Sequence, residues 1–137
     1  MIGRATRFLL LALMPVLAAC AASSKEPEVN PNLLPTDYKK EILLVMPKLL
    51  RDPVHVRDAS ITDPVLRQAG KEQRYVVCVR SNSRDQDGSY PGIKERIAYF
   101  YGGHLNQLVD ATPEQCAGLA YKPFPELEHL CMAKSCG

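Results

Sequence analysis

The cysteines are the residues of this chain that could carry out chemistry most readily. Five occur in 137 residues. A thiolate beside a histidine makes a nucleophile, and Cys78 with His104 is the pair that could fill that role. Cysteines near a histidine also bind zinc, for which His129, Cys131 and Cys136 are the candidates. Cys78 lies in an apolar segment, where cysteines are usually bridged or buried, so we predict a structural role for it.

Carboxylates between Ser83 and Lys94 suggest a calcium loop at first sight. Asp85, Asp87 and Gly88 stand at positions three, five and six of a twelve-residue loop, as in an EF-hand. Position twelve is Lys94, where that loop needs a bidentate glutamate, and a solvated turn explains the segment without an ion. The chain also has no zinc spacing of histidines, no G-x-S-x-G elbow and no phosphate-binding glycine loop. We therefore predict no metal, no cofactor and no enzyme activity.

Residues 1–19 have the pattern of a secretory signal peptide. Arg4 and Arg7 precede the apolar run FLLLALMPVLAA at residues 8–19. A helix that spans a bilayer needs about 20 apolar residues, so this run is too short for an anchor.

The end of that run, LAAC at residues 17–20, resembles the lipobox of bacterial lipoproteins. The resemblance implies a diacylglyceryl thioether on Cys20, cleavage just before it and acylation of the new N-terminus. Two or three acyl chains give stable membrane attachment. The alternative is an ordinary secretory signal that precedes a cysteine. Ala21 follows, and the best-known sorting system retains lipoproteins with aspartate there in the inner membrane, so the resemblance implies the outer membrane, facing the periplasm.

Lipidation of Cys20 would leave four cysteines in an oxidising compartment. An even number there predicts two disulfides, with three connectivities. We favour Cys78–Cys116 and Cys131–Cys136, because the second pair is local and the turn that carries Cys116 could reach back to Cys78 on the central strand. A Cys78–Cys116 bridge would close a loop of about 38 residues, worth roughly 4 kcal/mol in the chain-entropy model.

The charges of the chain nearly cancel. It has 17 basic and 15 acidic residues, and the predicted signal contains Arg4 and Arg7, so the remainder is formally neutral. This balance gives no electrostatic reason to expect nucleic acid, which needs a basic patch or stripe, or binding of anionic lipid through a polybasic segment. The lipid is the predicted link to the membrane.

The remainder is long enough for one small domain. We interpret residues 20–35 as the lipidated cysteine with a flexible, proline-containing tether and residues 36–137 as a single globular domain. An apolar stripe of Tyr38, Ile42, Val45 and Leu49 predicts an amphipathic helix over residues 36–50. Pro47 cannot donate a helical hydrogen bond, so we expect a kink or break near residue 43.

The sequence after the helix favours strands. The predicted strands are residues 54–62 at a sheet edge, 74–82, 93–101 and 104–110. Gly102-Gly103 predicts a hairpin, and Thr112-Pro113 with Gln115 predicts a short helix over residues 112–118 through a capping box. We expect one turn of helix after Pro125 in an otherwise irregular tail. The predicted class is α+β, with the N-terminal helix packed on an antiparallel meander of three to four strands and stapled by disulfides.

Three short motifs resemble a group of small proteobacterial envelope proteins. They are LRDP at residues 50–53, VC at 77–78 followed by Asn82, and GSYPG at 88–92. The group has an L-x-D-P corner, a V-C-x-x-x-N strand and a glycine-rich loop, and the likeness covers about the middle half of the chain. The loop departs from the group's pattern at its serine and proline. The resemblance implies an envelope location and a fold, and no activity.

Two functions remain open. The first is a lipid-anchored envelope protein with a structural or protein-interaction role. The second is a small periplasmic ligand-binding or inhibitor module, which requires a concave and partly apolar pocket. We favour the first, with Tyr90 in the loop of residues 83–92 as the candidate partner contact, because aromatic side chains are enriched at interface hot spots.

We predict that Cys20→Ala abolishes acyl labelling and leaves the precursor uncut, because the lipobox resemblance makes the Cys20 sulfur the site of lipidation. Labelling with a radioactive fatty acid and the intact mass of the protein test this directly. Efficient maturation of the variant would contradict the lipobox interpretation.

Overall fold

The computed structural model describes residues 24–130, so the predicted signal, Cys20, Cys131 and Cys136 lie outside the described residues. The elements are α1 Tyr38–Leu49, β1 Val56–Thr62, β2 Val65–Ala69, β3 Glu72–Ser83, β4 Lys94–Tyr101, β5 His104–Asp110, β6 Tyr121–Pro123 and α2 Pro125–Glu128. The prediction of an antiparallel sheet accompanied by short helices is confirmed, but the sheet has six strands, not three to four. Within the described part of the chain, no helix is both long and apolar enough to cross a membrane.

The central strand of the sheet is β3, which is twelve residues long. One edge of β3 pairs with β2, where Val65 faces Val76, and then with β1, where Ile61 faces Val79. The other edge pairs with β4, and the order across the sheet is β5-β4-β3-β1-β6. The prediction of residues 54–62 as an edge strand is wrong, because β6 pairs with the outer side of β1. The sequence did not predict β2 and β6, because runs of five and three residues are too short to show strand alternation.

Helix α1 runs unbroken from Tyr38 to Leu49 with Pro47 inside it, so the predicted break near residue 43 is wrong. Pro47 lies in the last turn, where only one helical hydrogen bond is lost. The buried residues of α1 are Ile42 and Met46, and not the predicted Val45 and Leu49. Ile42 and Met46 are four residues apart and therefore share one face of the helix. Leu49 is left partly exposed at the helix end.

The two faces of the sheet are buried in different ways. Side chains alternate along a strand, so neighbouring residues of β3 face opposite sides. The side facing α1 and α2 forms the larger core, with Ile42, Met46, Val77, Val79, Ala98, Phe100, Phe124 and Leu127. The opposite side has a smaller core that contains Val76, Cys78, Ile97 and Cys116. The predicted disulfide between Cys78 and Cys116 is confirmed and lies in this smaller core.

The predicted hairpin at Gly102-Gly103 is confirmed, and both glycines have positive φ angles, of 58° and 82°. The N-terminal segment lies against this turn. The Gly102 N–H donates to the carbonyl of Pro31 at 3.1 Å, and a Cβ on Gly102 would stand 2.7 Å from a methyl group of Val29. Pro35 is fully buried. The last part of the predicted tether therefore contacts the sheet.

The segment of residues 112–118 forms turns in place of the predicted short helix. Gln115 N–H bonds to the carbonyl of Thr112, and the Gln115 side chain accepts the Thr112 N–H at 2.8 Å, which is one half of the predicted capping box. The guanidinium of Arg67 binds the carbonyls of Gln115 and Ala117 at 2.8 and 2.6 Å. Since these carbonyls are turned towards β2 and Cys116 is bridged to β3, the segment does not continue as a helix. The predicted turn of helix after Pro125 is confirmed as α2.

We predict that replacing Cys78 and Cys116 together by alanine lowers the free energy of unfolding by about 2–4 kcal/mol. The bridge joins residues 38 apart in sequence, so its loss increases the conformational freedom of the unfolded chain. The change in unfolding free energy is measured by urea unfolding of the purified, oxidised protein, expressed from residue 21 onward. An unfolding free energy equal to that of the parent would contradict a stabilising bridge.

Candidate functional site: a basic cleft at the end of helix α1

A cleft of about 230 Å³ opens where the C-terminal end of α1 leaves the sheet uncovered. We call it the basic cleft. Its lining residues are Leu49, Leu50, Arg51, Ser81, Ser83, Arg84, Asp85, Pro91, Gly92, Lys94 and Arg96. They come from three places: the end of α1, the adjoining ends of β3 and β4, and the loop that connects these two strands.

The paired ends of β3 and β4 supply a row of polar side chains to the cleft. Val79 faces the α1 side of the sheet, so by strand alternation Ser81 and Ser83 face that side as well. Ser81 is opposite Lys94 on β4, and Val79 is opposite Arg96. The face that is apolar beneath α1 therefore becomes polar and basic where the helix ends.

Arg96 is the most deeply placed cation of the cleft, with a side chain only 8% exposed. The nearest carboxylate oxygen is that of Asp110, at 3.5 Å from Arg96 Nε, and the guanidinium makes no hydrogen bond to any residue in the range 24–130. Burial lowers the pKa of Arg96, and Asp110 opposes this shift. Arginine nevertheless stays charged in proteins and has five N–H donors. The donors of Arg96 are thus available to a group in the cleft.

Ser81 is the second buried polar residue of the cleft. It is 2% exposed, and its side chain lines the cleft. A serine hydroxyl can donate one hydrogen bond and accept two. Ser81 and Arg96 therefore place a hydroxyl and a guanidinium on the same face at the base of the cleft, where both can bind an acceptor.

Asp52 holds one wall of the cleft in position. One oxygen of its carboxylate accepts the backbone N–H groups of Val54 and His55, each at 3.2 Å. The other oxygen accepts from Arg84 Nε at 2.9 Å and lies 3.0 Å from His55 Nδ1. Ser83 Oγ donates to the Asp52 carbonyl at 3.0 Å. The corner after α1, where the L-x-D-P motif lies, is thereby joined to the end of β3.

The same bonds set the acidity of Asp52. Burial raises the pKa of its carboxyl group, but the hydrogen bonds from His55 and Arg84 outweigh burial and bring the pKa to about 2. Asp52 is therefore ionised throughout the neutral range and fixes the Arg84 guanidinium at the edge of the cleft.

The loop of residues 84–92 is shaped by its own hydrogen bonds. Asn82 Oδ1 accepts the Gly92 N–H at 3.1 Å, and Asp85 N–H donates to the Ser89 carbonyl at 2.7 Å. Gly92 has a φ of 122°, an angle that residues with a side chain rarely adopt. Asn82 and the glycines, singled out by the resemblance, thus close the loop that forms the outer wall of the cleft.

The charges around the cleft nearly balance. Its cations are Arg51, Arg84, Lys94 and Arg96. Three of them pair with carboxylates. Arg51 Nε lies 3.6 Å from Asp85 Oδ1, and Arg84 Nη2 lies 2.7 Å from Asp52 Oδ2. Lys94 Nζ lies 2.9 Å from Asp110 Oδ2. Four cations and three carboxylates leave one net positive charge at the site.

Tyr90, the predicted partner contact, lies beside the cleft and does not line it. Tyr90 is half-buried, and the Arg57 guanidinium stacks at 3.6 Å from the centroid of its ring. The next two residues, Pro91 and Gly92, do line the cleft. A contact role for Tyr90 stays a prediction.

The other chemical candidates are dispersed. Cys78 is bridged and fully buried, so it is not a nucleophile that His104 could activate. His104 lies beside Glu41 on the surface. Asp87 binds its own loop through the backbone and hydroxyl of Ser89. No cluster of three or more potential metal-binding side chains occurs in residues 24–130.

We did not predict Arg96 and Ser81 as site residues. A signal was present in β4, where residues at alternate positions face the core and Arg96 occupies one of them, in line with Ala98 and Phe100. A charge at a core-facing position is rarely buried without a partner, which makes it a candidate site residue.

Comparison of the chain with protein-family models, curated proteins and solved structures gives no match. The interpretation of the basic cleft therefore depends on its own geometry.

We predict that Asp52→Asn lowers the free energy of unfolding at pH 7 by about 1–2 kcal/mol. The pKa of about 2 in the folded protein is below the ordinary value of 3.8. The stabilisation is therefore complete above about pH 4 and is lost as the pH falls through 2. Between pH 4 and 2, the free energy of unfolding of the variant should therefore change less with pH than that of the parent. Urea unfolding at pH 7, 4 and 2 measures this effect.

Asp37→Asn provides the matched control for that measurement, since Asp37 is exposed and makes no side-chain cap to α1. It should leave both the stability at pH 7 and the acid profile close to those of the parent. Equal profiles for Asp52→Asn and the parent would show that Asp52 does not stabilise the corner.

Proposed function

We propose that this protein is a lipid-anchored, non-catalytic component of the cell envelope that binds a protein partner through the basic cleft. The observation that carries the proposal is the pair of buried polar side chains, Arg96 and Ser81, at the base of an open cleft. A charged side chain is rarely buried, and the carboxylate of Asp110 approaches Arg96 Nε only to 3.5 Å. An acceptor supplied by a partner could bind both Arg96 and Ser81.

The size of the cleft favours a partner over a free small molecule. Pockets for whole small ligands usually enclose about 300–1,000 Å³. The basic cleft has about 230 Å³ and is open to solvent. Two apolar side chains are exposed at the rim of the cleft. Ile93, which lies between the lining residues Gly92 and Lys94 in sequence, is 59% exposed, and Leu49 is 40% exposed. A larger molecule that inserts one group and covers this rim fits better than the alternative of a small ligand-binding module.

The position of the cleft favours a partner on the periplasmic side of the anchor. Strand β4 begins with Lys94 at the cleft and ends with Tyr101 at the hairpin, where Pro31 of the N-terminal segment is bound. Eight residues of strand span about 25 Å. The lipid predicted on Cys20 would connect to the hairpin end, so the cleft would be the end that is distant from the membrane.

The lipobox motif and Ala21 support the anchored, outer-membrane location, and the resemblance of residues 50–92 to small envelope proteins supports the same compartment. The Cys78–Cys116 bridge is compatible with an oxidising compartment. An enzyme activity has no support in the described residues, because the basic cleft contains neither a histidine nor a free thiol.

Photo-cross-linking in cells tests the proposal. A photoreactive residue replaces Ile93 at the rim of the cleft, and the matched control carries it at Leu66, which is 40% exposed on β2. We expect a defined adduct from position 93 that disappears when Arg96→Met is added or when Cys20→Ala prevents anchoring. The same adduct from both positions, or an adduct unaffected by Arg96→Met, would reject the cleft as the binding surface.

A further inference from the structure

The geometry points to the chemistry of the bound group: we infer that the basic cleft receives the C-terminal carboxylate of a peptide whose last side chain is apolar. The inference depends on the proposed function, because it specifies which part of a partner enters the cleft.

The donors at the base of the cleft match a carboxylate. A guanidinium presents parallel N–H groups that bind the two oxygens of a carboxylate together. Arg96 has no such acceptor among the described residues, since Asp110 contacts it only at 3.5 Å. Ser81 is the diagonal neighbour of Arg96 on the same face, and long side chains reach across that distance. One planar anion can therefore accept from both residues.

The net charge of the site selects a monoanion. The three carboxylates of Asp52, Asp85 and Asp110 already pair with cations of the cleft and leave a single positive charge. A phosphate monoester carries a charge of about −1.5 to −2 at neutral pH and would leave the site with a net negative charge. A carboxylate carries one negative charge and is neutralised completely.

The apolar wall distinguishes a chain terminus from an acidic side chain. Leu49, Leu50 and Pro91 line the cleft beside the donors. In a polypeptide, only the C-terminal residue combines a free carboxylate with an apolar side chain. Aspartate and glutamate end in their carboxylate, so neither residue can supply an apolar side chain as well. The volume of about 230 Å³ limits the insertion to a terminal residue.

Fluorescence anisotropy with the full lipidated chain in detergent tests the inference. The probe is a pentapeptide with an N-terminal fluorophore and leucine at its end, prepared with a free carboxylate and with a terminal amide. We expect the free acid to bind at least tenfold more tightly than the amide. Arg96→Lys, which retains the charge without the planar fork, should weaken binding of the free acid at least tenfold, and Ser81→Ala should weaken it severalfold.

The control variant is Arg74→Lys, at the far end of the sheet beside Tyr101, and it should bind the peptide as the parent does. Circular dichroism melting confirms that each variant is folded. Arg96→Met provides a second test, because the Asp110 carboxylate that it leaves is 62% exposed and can be hydrated by solvent. Acetate should compete with the peptide more strongly than inorganic phosphate.

Equal affinity for the acid and the amide, no binding of the free acid, or stronger competition by phosphate would overturn the inference. The proposed function fails separately. If the cross-link from position 93 still depends on Arg96 while acid and amide bind alike, the cleft binds a partner through another group. If that cross-link does not depend on Arg96, both the proposed function and this inference are wrong.

Discussion

The difference in rise between a helix and a strand is the constraint on which the site depends. Helix α1 and strand β3 each have twelve residues, but the helix spans about 18 Å and the strand about 40 Å. The helix cannot cover the whole face of the strand in any orientation. Beneath α1 that face carries Val77 and Val79 of β3 and Phe100 of β4. Beyond α1 it carries Ser81 and Arg96. The change from apolar to polar residues along the strands thus follows the end of the helix.

An uncovered sheet face needs walls to become a cleft, and Asp52 provides one of them. The chain leaves α1 through a corner in which the Asp52 carboxylate binds two backbone N–H groups and the guanidinium of Arg84. Arg84 begins the loop after β3, and Asn82 closes the other end of that loop at Gly92. Helix end, sheet end and loop are therefore held together by side chains that point away from the apolar core, and the cleft lies between them.

The sequence predicted those parts of the fold that local patterns determine. The two glycines of the β4–β5 hairpin and the pairing of Cys78 with Cys116 are examples, because turn chemistry and cysteine position indicate them directly. The pairing of β1 with β6 brings together residues about sixty apart, and no local pattern encodes it. The cleft was missed for the same reason. The alternation of β4 places Arg96 on the core-facing side, but only the end of α1 above it decides that Arg96 and Ser81 line an open cleft.

The overall neutrality of the chain is compatible with the basic character of its cleft. Together these two properties determine which anions the cleft would bind. Net charge acts over the Debye length of about 8–10 Å and attracts any polyanion, and this chain offers almost none. Arg51 and Lys94 are largely exposed, so salt screens them and their aspartate partners compensate them. Arg96 is different, because its side chain is only 8% exposed and is therefore screened less by salt. Its attraction is strong only for an anion that enters the cleft and matches the planar guanidinium. Binding of an anion at this site therefore depends on its shape at short range, and the long-range field of the chain contributes little.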